Sequence, residues 1–149
     1  GEPFRQNIAP LCHLLLKNNS TMRLQVETNG TLFCLGVPYS NPRLTVVCSP
    51  KASRVSPQLV EHIDYWKYVV DSVSGVEGDG LPKHTMGNGN AVARPPSDVP
   101  SDKIFIQPLD PLDDPSGELA EANKLFAMKL CLSHGFRLSL QTHKLLDLL

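Results

Sequence analysis

Four short polar segments carry the residue types from which a binding site could be built. They are Gly1-Glu2-Pro3, Glu27-Thr28-Asn29-Gly30-Thr31, Cys48-Ser49-Pro50-Lys51 and Gln107-Pro108-Leu109-Asp110. A fifth closes the chain, Gln141-Thr142-His143-Lys144-Leu145-Leu146-Asp147-Leu148-Leu149. A glycine beside a ligand lets the backbone approach without a Cβ in the way. Glu27 supplies a carboxylate that, if it points inward, needs a hydrogen-bonded partner, because an unpaired buried charge is costly. Ser49 offers a hydroxyl, and Lys51 a cation able to pair with a carboxylate. Pro108 has no N–H and ends a ladder, which leaves neighbouring backbone groups free to meet a planar ring. The last residue adds a main-chain carboxylate, an acceptor suited to two parallel N–H donors. Each segment also has an ordinary reading. Asn29-Gly30 is turn chemistry, a loop lysine is usually solvated, and a lone histidine is often a core or surface residue.

These segments must be positioned by the elements that precede them. Ile8, Leu11, Leu14 and Leu15 recur at helical spacing within 4–19. Strands are predicted at 22–28, 43–48, 66–70, 103–107 and 136–140. Ser56-Pro57 reads as an N-cap followed by a first-turn proline, opening a short helix to about Ile63. A longer helix is predicted from Glu118 to His134. Leu119, Ala122, Leu125, Phe126 and Leu130 share its apolar face, its charges form a solvated face, and Gly135 ends it. Residues 72–102 hold five glycines and four prolines and read as a long loop, a surface insertion more than a lid. Strands alternating with helices predict an α/β fold with a mainly parallel sheet, and ligands bind such sheets at the carboxyl ends of the strands. The expectation is that the polar segments converge there on one pocket.

Composition narrows the function classes. The 149 residues suffice for one domain, and 41% apolar content is that of a globular chain. A net charge of −1 gives no general attraction to nucleic acid or anionic lipid. No apolar run is long enough for a membrane span, and no signal pattern opens the chain. The four cysteines, Cys12, Cys34, Cys48 and Cys131, stand singly and read as reduced thiols of a cytoplasmic protein. There is no initiator Met, so the chain reads as a fragment.

In this order the segments resemble the radical S-adenosylmethionine superfamily and, within it, the 7-carboxy-7-deazaguanine synthases. Gly-Glu-Pro is widely shared, whereas ETNGT, SPK, QPLD and QTHKLLDLL together are specific. The resemblance spans 1–149, interrupted by the 72–102 loop, and implies a single, incomplete domain from the C-terminal part of a partial (β/α) barrel. It implies a 4Fe-4S cluster, S-adenosylmethionine and Mg²⁺, and a ring contraction of 6-carboxy-5,6,7,8-tetrahydropterin to 7-carboxy-7-deazaguanine with loss of ammonia. The resemblance places Gly1, Glu2, Ser49, Pro50, Lys51, Gln107, Pro108, Leu109 and Asp110 at S-adenosylmethionine, and Glu27, His143 and the Leu149 carboxylate at the pterin. It also implies a flavodoxin or ferredoxin as reducing partner, and a homodimer. The three-cysteine loop and Mg²⁺-binding Thr of the family do not occur in this sequence. They are expected upstream, and the chain alone is expected to be inactive. Two alternatives stay open: a glycyl-radical activating enzyme, which shares Gly-Glu-Pro and an ETNG-like strand end, and a truncated, non-catalytic binding module.

Overall fold

The computed structural model describes residues 1–85 and 89–142. The chain runs through α1 (Ala9–Asn18), β1 (Leu24–Thr28), β2 (Leu44–Cys48), α2 (Pro57–Val60), β3 (Tyr65–Val70), β4 (Ile104–Pro108), α3 (Glu118–His134) and β5 (Arg137–Leu138), with 3₁₀ turns at Pro3–Arg5 and Ser101–Lys103. The fold is α/β, as expected. The five strands lie in the order β1-β2-β3-β4-β5 in a parallel sheet. Each strand neighbours its predecessor, the sequential order of a (β/α) barrel and not the reversing order of a doubly wound sheet. Two compact units divide the chain, 1–67 with 84–98 and 68–83 with 99–149.

In the first unit, Val26 pairs with Val46 and Thr28 with Cys48, so their side chains share one face. That face is covered by Phe4, Ala9, Val37 and Leu59. The first helix is shorter than its periodicity predicts. Pro10 and the Asn7 side chain, whose Oδ1 accepts from the Ala9 N–H, fix its start well after Phe4. Its buried residues are Ala9, Cys12 and Leu16, while Leu11 and Leu14, expected inside, are 55% exposed. The carbonyls of Leu16 and Asn19 at its end accept from the Arg43 guanidinium at 2.6 Å, a tertiary cap that spacing alone does not reveal. Ser56 caps α2 with its carbonyl and not its hydroxyl, and α2 spans one turn.

In the second unit, α3 has the predicted bounds, and Gly135 ends it with φ 71°. Its start is held by Asp114, whose Oδ2 accepts from the Ala120 N–H at 2.8 Å. The buried stripe is Asn123, Ala127 and Leu130, and Leu125 is 56% exposed. The predicted face is therefore rotated on the helix. β5 is two residues long, shorter than the 136–140 expected.

The 72–102 segment is less free than its composition suggests. In the first unit the Ala93 N–H donates to Ala52 O at 2.8 Å, His84 and Ala91 form an antiparallel bridge, and Val92 and Ala93 are buried. In the second unit Leu81 is buried and Gly80 lies against the His134 ring.

Candidate functional site

The carboxyl edge of the first unit is knitted together by Glu2. Its Oε1 accepts from the Thr28 hydroxyl at 2.8 Å and the Phe4 N–H at 3.1 Å, and its Oε2 from the Asn29 N–H at 2.6 Å. Asn29 in turn accepts, through Oδ1, from the Thr31 N–H and hydroxyl at 2.8 and 2.6 Å. Gly30 sits at φ +81°, and a Cβ there would lie 2.7 Å from Cys48 Sγ and 2.9 Å from Val55 Cγ2. Gly30 is thus required by both conformation and close packing. A Cβ on Gly1, by contrast, would meet nothing within 4 Å.

Ser49 continues β2 past its end, with its N–H donating to Thr28 O at 2.8 Å. Pro50 is buried, and Lys51 is exposed as a whole residue. The Lys51 ammonium is nevertheless held below the ordinary lysine range, first by desolvation and then by the charge of Lys67. Glu27 lies on the sheet face opposite Val26 and Thr28. It forms an ion pair with Lys67, and its Oε1 accepts from the Gln25 amide at 3.0 Å. The first unit therefore brings Glu2, Glu27, Ser49 and Lys51 to the ends of β1 and β2, with Lys67 beside them.

In the second unit, β4 delivers Gln107 and Pro108 at its end, and the Leu109 N–H donates to Val70 O at 2.8 Å. A cavity of about 190 Å³ opens at this edge, lined by Pro108, Leu109, Asp110, Ala120, Lys124, Leu140 and Gln141. Its apolar walls and polar corners suit a flat heterocycle. Three of the four QPLD residues line it. A recess of about 320 Å³ in the first unit, between Arg54, Val55, Trp66 and Arg94, touches none of the expected site residues.

Two polar residues behind the second edge escaped the sequence reading. Asn123 is fully buried and bonded to both Ser72 and Leu109. Its spacing with Ala127 and Leu130 was the available signal, since an amide on a buried stripe must find partners. Asp71 is buried directly after β3. Its Oδ1 accepts from the Val73 and Ser74 N–H groups, and its Oδ2 has no hydrogen-bond partner among the described residues. His143 and Leu149 lie outside the described residues.

The thiols do not form a metal centre. Cys12, Cys34 and Cys48 are buried, and burial, with the Glu2 charge adding, pushes the Cys48 thiol up to about 12. No group of three or more His, Cys, Asp or Glu side chains among the described residues could hold a metal ion.

The whole chain has relatives of known name. Over 99% of its length it is 39% identical to a 7-carboxy-7-deazaguanine synthase of Rhodospirillum rubrum, covering 62% of that protein. The corresponding figures are 35% identity and 56% coverage for the enzyme of Rickettsia prowazekii, and 31% and 58% for that of Escherichia coli. The chain thus spans about three fifths of the curated relatives it matches, and the match falls on their C-terminal portion. No family model and no solved structure matches.

Proposed function

We propose that this chain belongs to the 7-carboxy-7-deazaguanine synthases and supplies the strand-end half of their site. The observation that carries this reading is the likeness to those enzymes along nearly every residue. The cavity at the QPLD segment supports it independently. The reaction is the conversion of 6-carboxy-5,6,7,8-tetrahydropterin to 7-carboxy-7-deazaguanine with loss of ammonia, in the 7-deazapurine pathway that leads to queuosine.

The residues present fit S-adenosylmethionine, which on one-electron reduction by a cluster held elsewhere in the enzyme would supply methionine and a 5′-deoxyadenosyl radical for hydrogen abstraction. Gly1 leaves its backbone open to the methionyl group, since nothing crowds its Cα. Glu2 sits beside it and holds the Thr28–Asn29 turn in place. Ser49 adds a hydroxyl. Lys51, desolvated and short of negative charge, gains most from a ligand carboxylate. In the second unit the 107–110 segment receives the adenosine, with Leu109 and Pro108 as apolar walls. Glu27 is assigned to the pterin, whose ring N–H groups would share the carboxylate that Lys67 now holds. His143 and the Leu149 carboxylate are assigned to the same substrate.

The described residues do not fit a 4Fe-4S cluster, which needs three thiolates converging on one loop. Cluster and Mg²⁺ ligands are assigned to other parts of the enzyme, and the chain alone is expected to be inactive. A flavodoxin or ferredoxin as electron donor, a homodimer and a cytoplasmic location complete the proposal. Among the described residues no helix is long and apolar enough to cross a membrane.

The test is anaerobic reconstitution of the full-length gene product with iron and sulfide, followed by addition of the carboxytetrahydropterin and S-adenosylmethionine. Formation of 7-carboxy-7-deazaguanine is expected. A cluster-loaded enzyme that makes none overturns the reading.

A further inference from the structure

We infer that Asn123 is a positioning residue for the adenosine end of S-adenosylmethionine, acting through the backbone of Leu109. The inference rests on the reading above. Asn123 is fully buried on α3. Its Oδ1 accepts from the Ser72 N–H at 2.8 Å and the Ser72 hydroxyl at 2.9 Å, and its Nδ2 donates to Leu109 O at 2.9 Å. One amide thereby joins the loop after β3 to the loop after β4. A buried amide stripped of such partners is costly, so the three bonds stand or fall together.

The geometry fixes one peptide plane. The Leu109 N–H is already committed to Val70 O at 2.8 Å. With its carbonyl held by Asn123, both backbone groups of Leu109 are fixed. A trans peptide sets C=O and the following N–H on opposite sides, so the Asp110 N–H is turned away from Asn123. Leu109 and Asp110 both line the cavity, and Ala120 and Lys124 bring the same helix to its wall. The loop after β3 is braced from its own side by Asp71, whose Oδ1 takes the Val73 and Ser74 N–H groups. The Asn123 tie thus fixes the Leu109 carbonyl before any ligand arrives.

Asn123→Asp and Ser72→Ala in the full-length protein test this. Asn123→Asp replaces the donor to Leu109 O with an acceptor. Ser72→Ala removes one hydroxyl and keeps the Leu109 bond. Amide hydrogen exchange at 72–74 and 109–110 reads the tie, and titration with S-adenosylmethionine, 5′-deoxyadenosine and methionine reads the site. Asn123→Asp is expected to lose protection at 109–110. It should also weaken S-adenosylmethionine and 5′-deoxyadenosine by about tenfold while leaving methionine unchanged. Ser72→Ala loosens the Asn123 amide at its oxygen and is expected to show the same pattern at about threefold. Equal weakening of all three ligands indicates general damage and overturns the inference, as does a loosened 109–110 with wild-type affinity. Should Asn123→Asp fail to fold, Ser72→Ala decides: unchanged 5′-deoxyadenosine affinity sinks the role. A folded wild type that binds no S-adenosylmethionine fails the underlying reading instead, and the positioning role with it.

Discussion

The two strand-end regions solve one problem with different chemistry. At the ends of β1 and β2, charged and hydroxyl side chains hold one another: Glu2 takes Thr28 and Asn29, and Glu27 takes Lys67 and Gln25. At the ends of β3 and β4, a single neutral amide behind the sheet holds two loops by their backbones. The Glu27–Lys67 pair is adaptable, because half of the Glu27 side chain is open to solvent and a ligand can exchange with one of the two partners there. A buried amide is not, because each lost bond leaves a desolvated group. The first edge therefore suits groups that change partners when ligand arrives, and the second suits a preformed slot.

Four measurements would break or sharpen that contrast. Gly30→Ala has the largest expected effect, about 3 kcal/mol of lost stability, because the new methyl meets Cys48 Sγ and Val55 at a left-handed φ. Thermal or denaturant unfolding measures it, and Cys48→Ala in the same chain should recover part of the loss. Glu2→Gln comes next, at about 2 kcal/mol, since a carboxylate accepting from three donors becomes an amide that faces one of them with its own N–H. A denaturant midpoint equal to wild type would show that the Glu2 network contributes nothing.

The third is a pH dependence. The folded-state pKa of Lys51 is lowered from 10.5, so between that lowered value and 10.5 the unfolded chain binds more protons. Its contribution to stability accordingly rises with pH across that window. Anion binding runs the other way. Affinity for a carboxylate ligand falls as pH rises through the lowered pKa, Lys51→Arg keeps the affinity at high pH, and Lys51→Met removes the dependence. Calorimetric titration across pH checks all three. Glu27→Gln has the smallest effect, under about 1 kcal/mol, because half of the Glu27 side chain is open to solvent. A larger loss in denaturant unfolding would mean that the first edge is as rigid as the second.

The sequence disclosed the local rules well. The bounds of α3, its Gly135 terminus, the β2 and β3 strands and the parallel α/β class were all legible, because capping, β-branching and strand–helix alternation act over a few residues. The faces of α1 and α3 were less so. Leu11, Leu14 and Leu125 fit the period and yet lie outside, since periodicity gives the existence of a stripe and not which neighbours fill it. The long glycine- and proline-rich segment looked free and is anchored by Ala93 and Leu81, because a few buried residues suffice to hold a chain whose composition is that of a loop.

By itself, then, the sequence determined the order of strands and helices, the turn at Asn29-Gly30 and the motifs on which the resemblance rests. These are written in residue types and short spacings. The tertiary structure alone decided that Glu2 serves the β1 turn, that Glu27 faces Lys67, and that Asn123 grips Leu109 from behind. Such partnerships join residues 14 to 40 positions apart. Hydrogen bonds depend on where atoms meet in space, and no local pattern encodes that meeting.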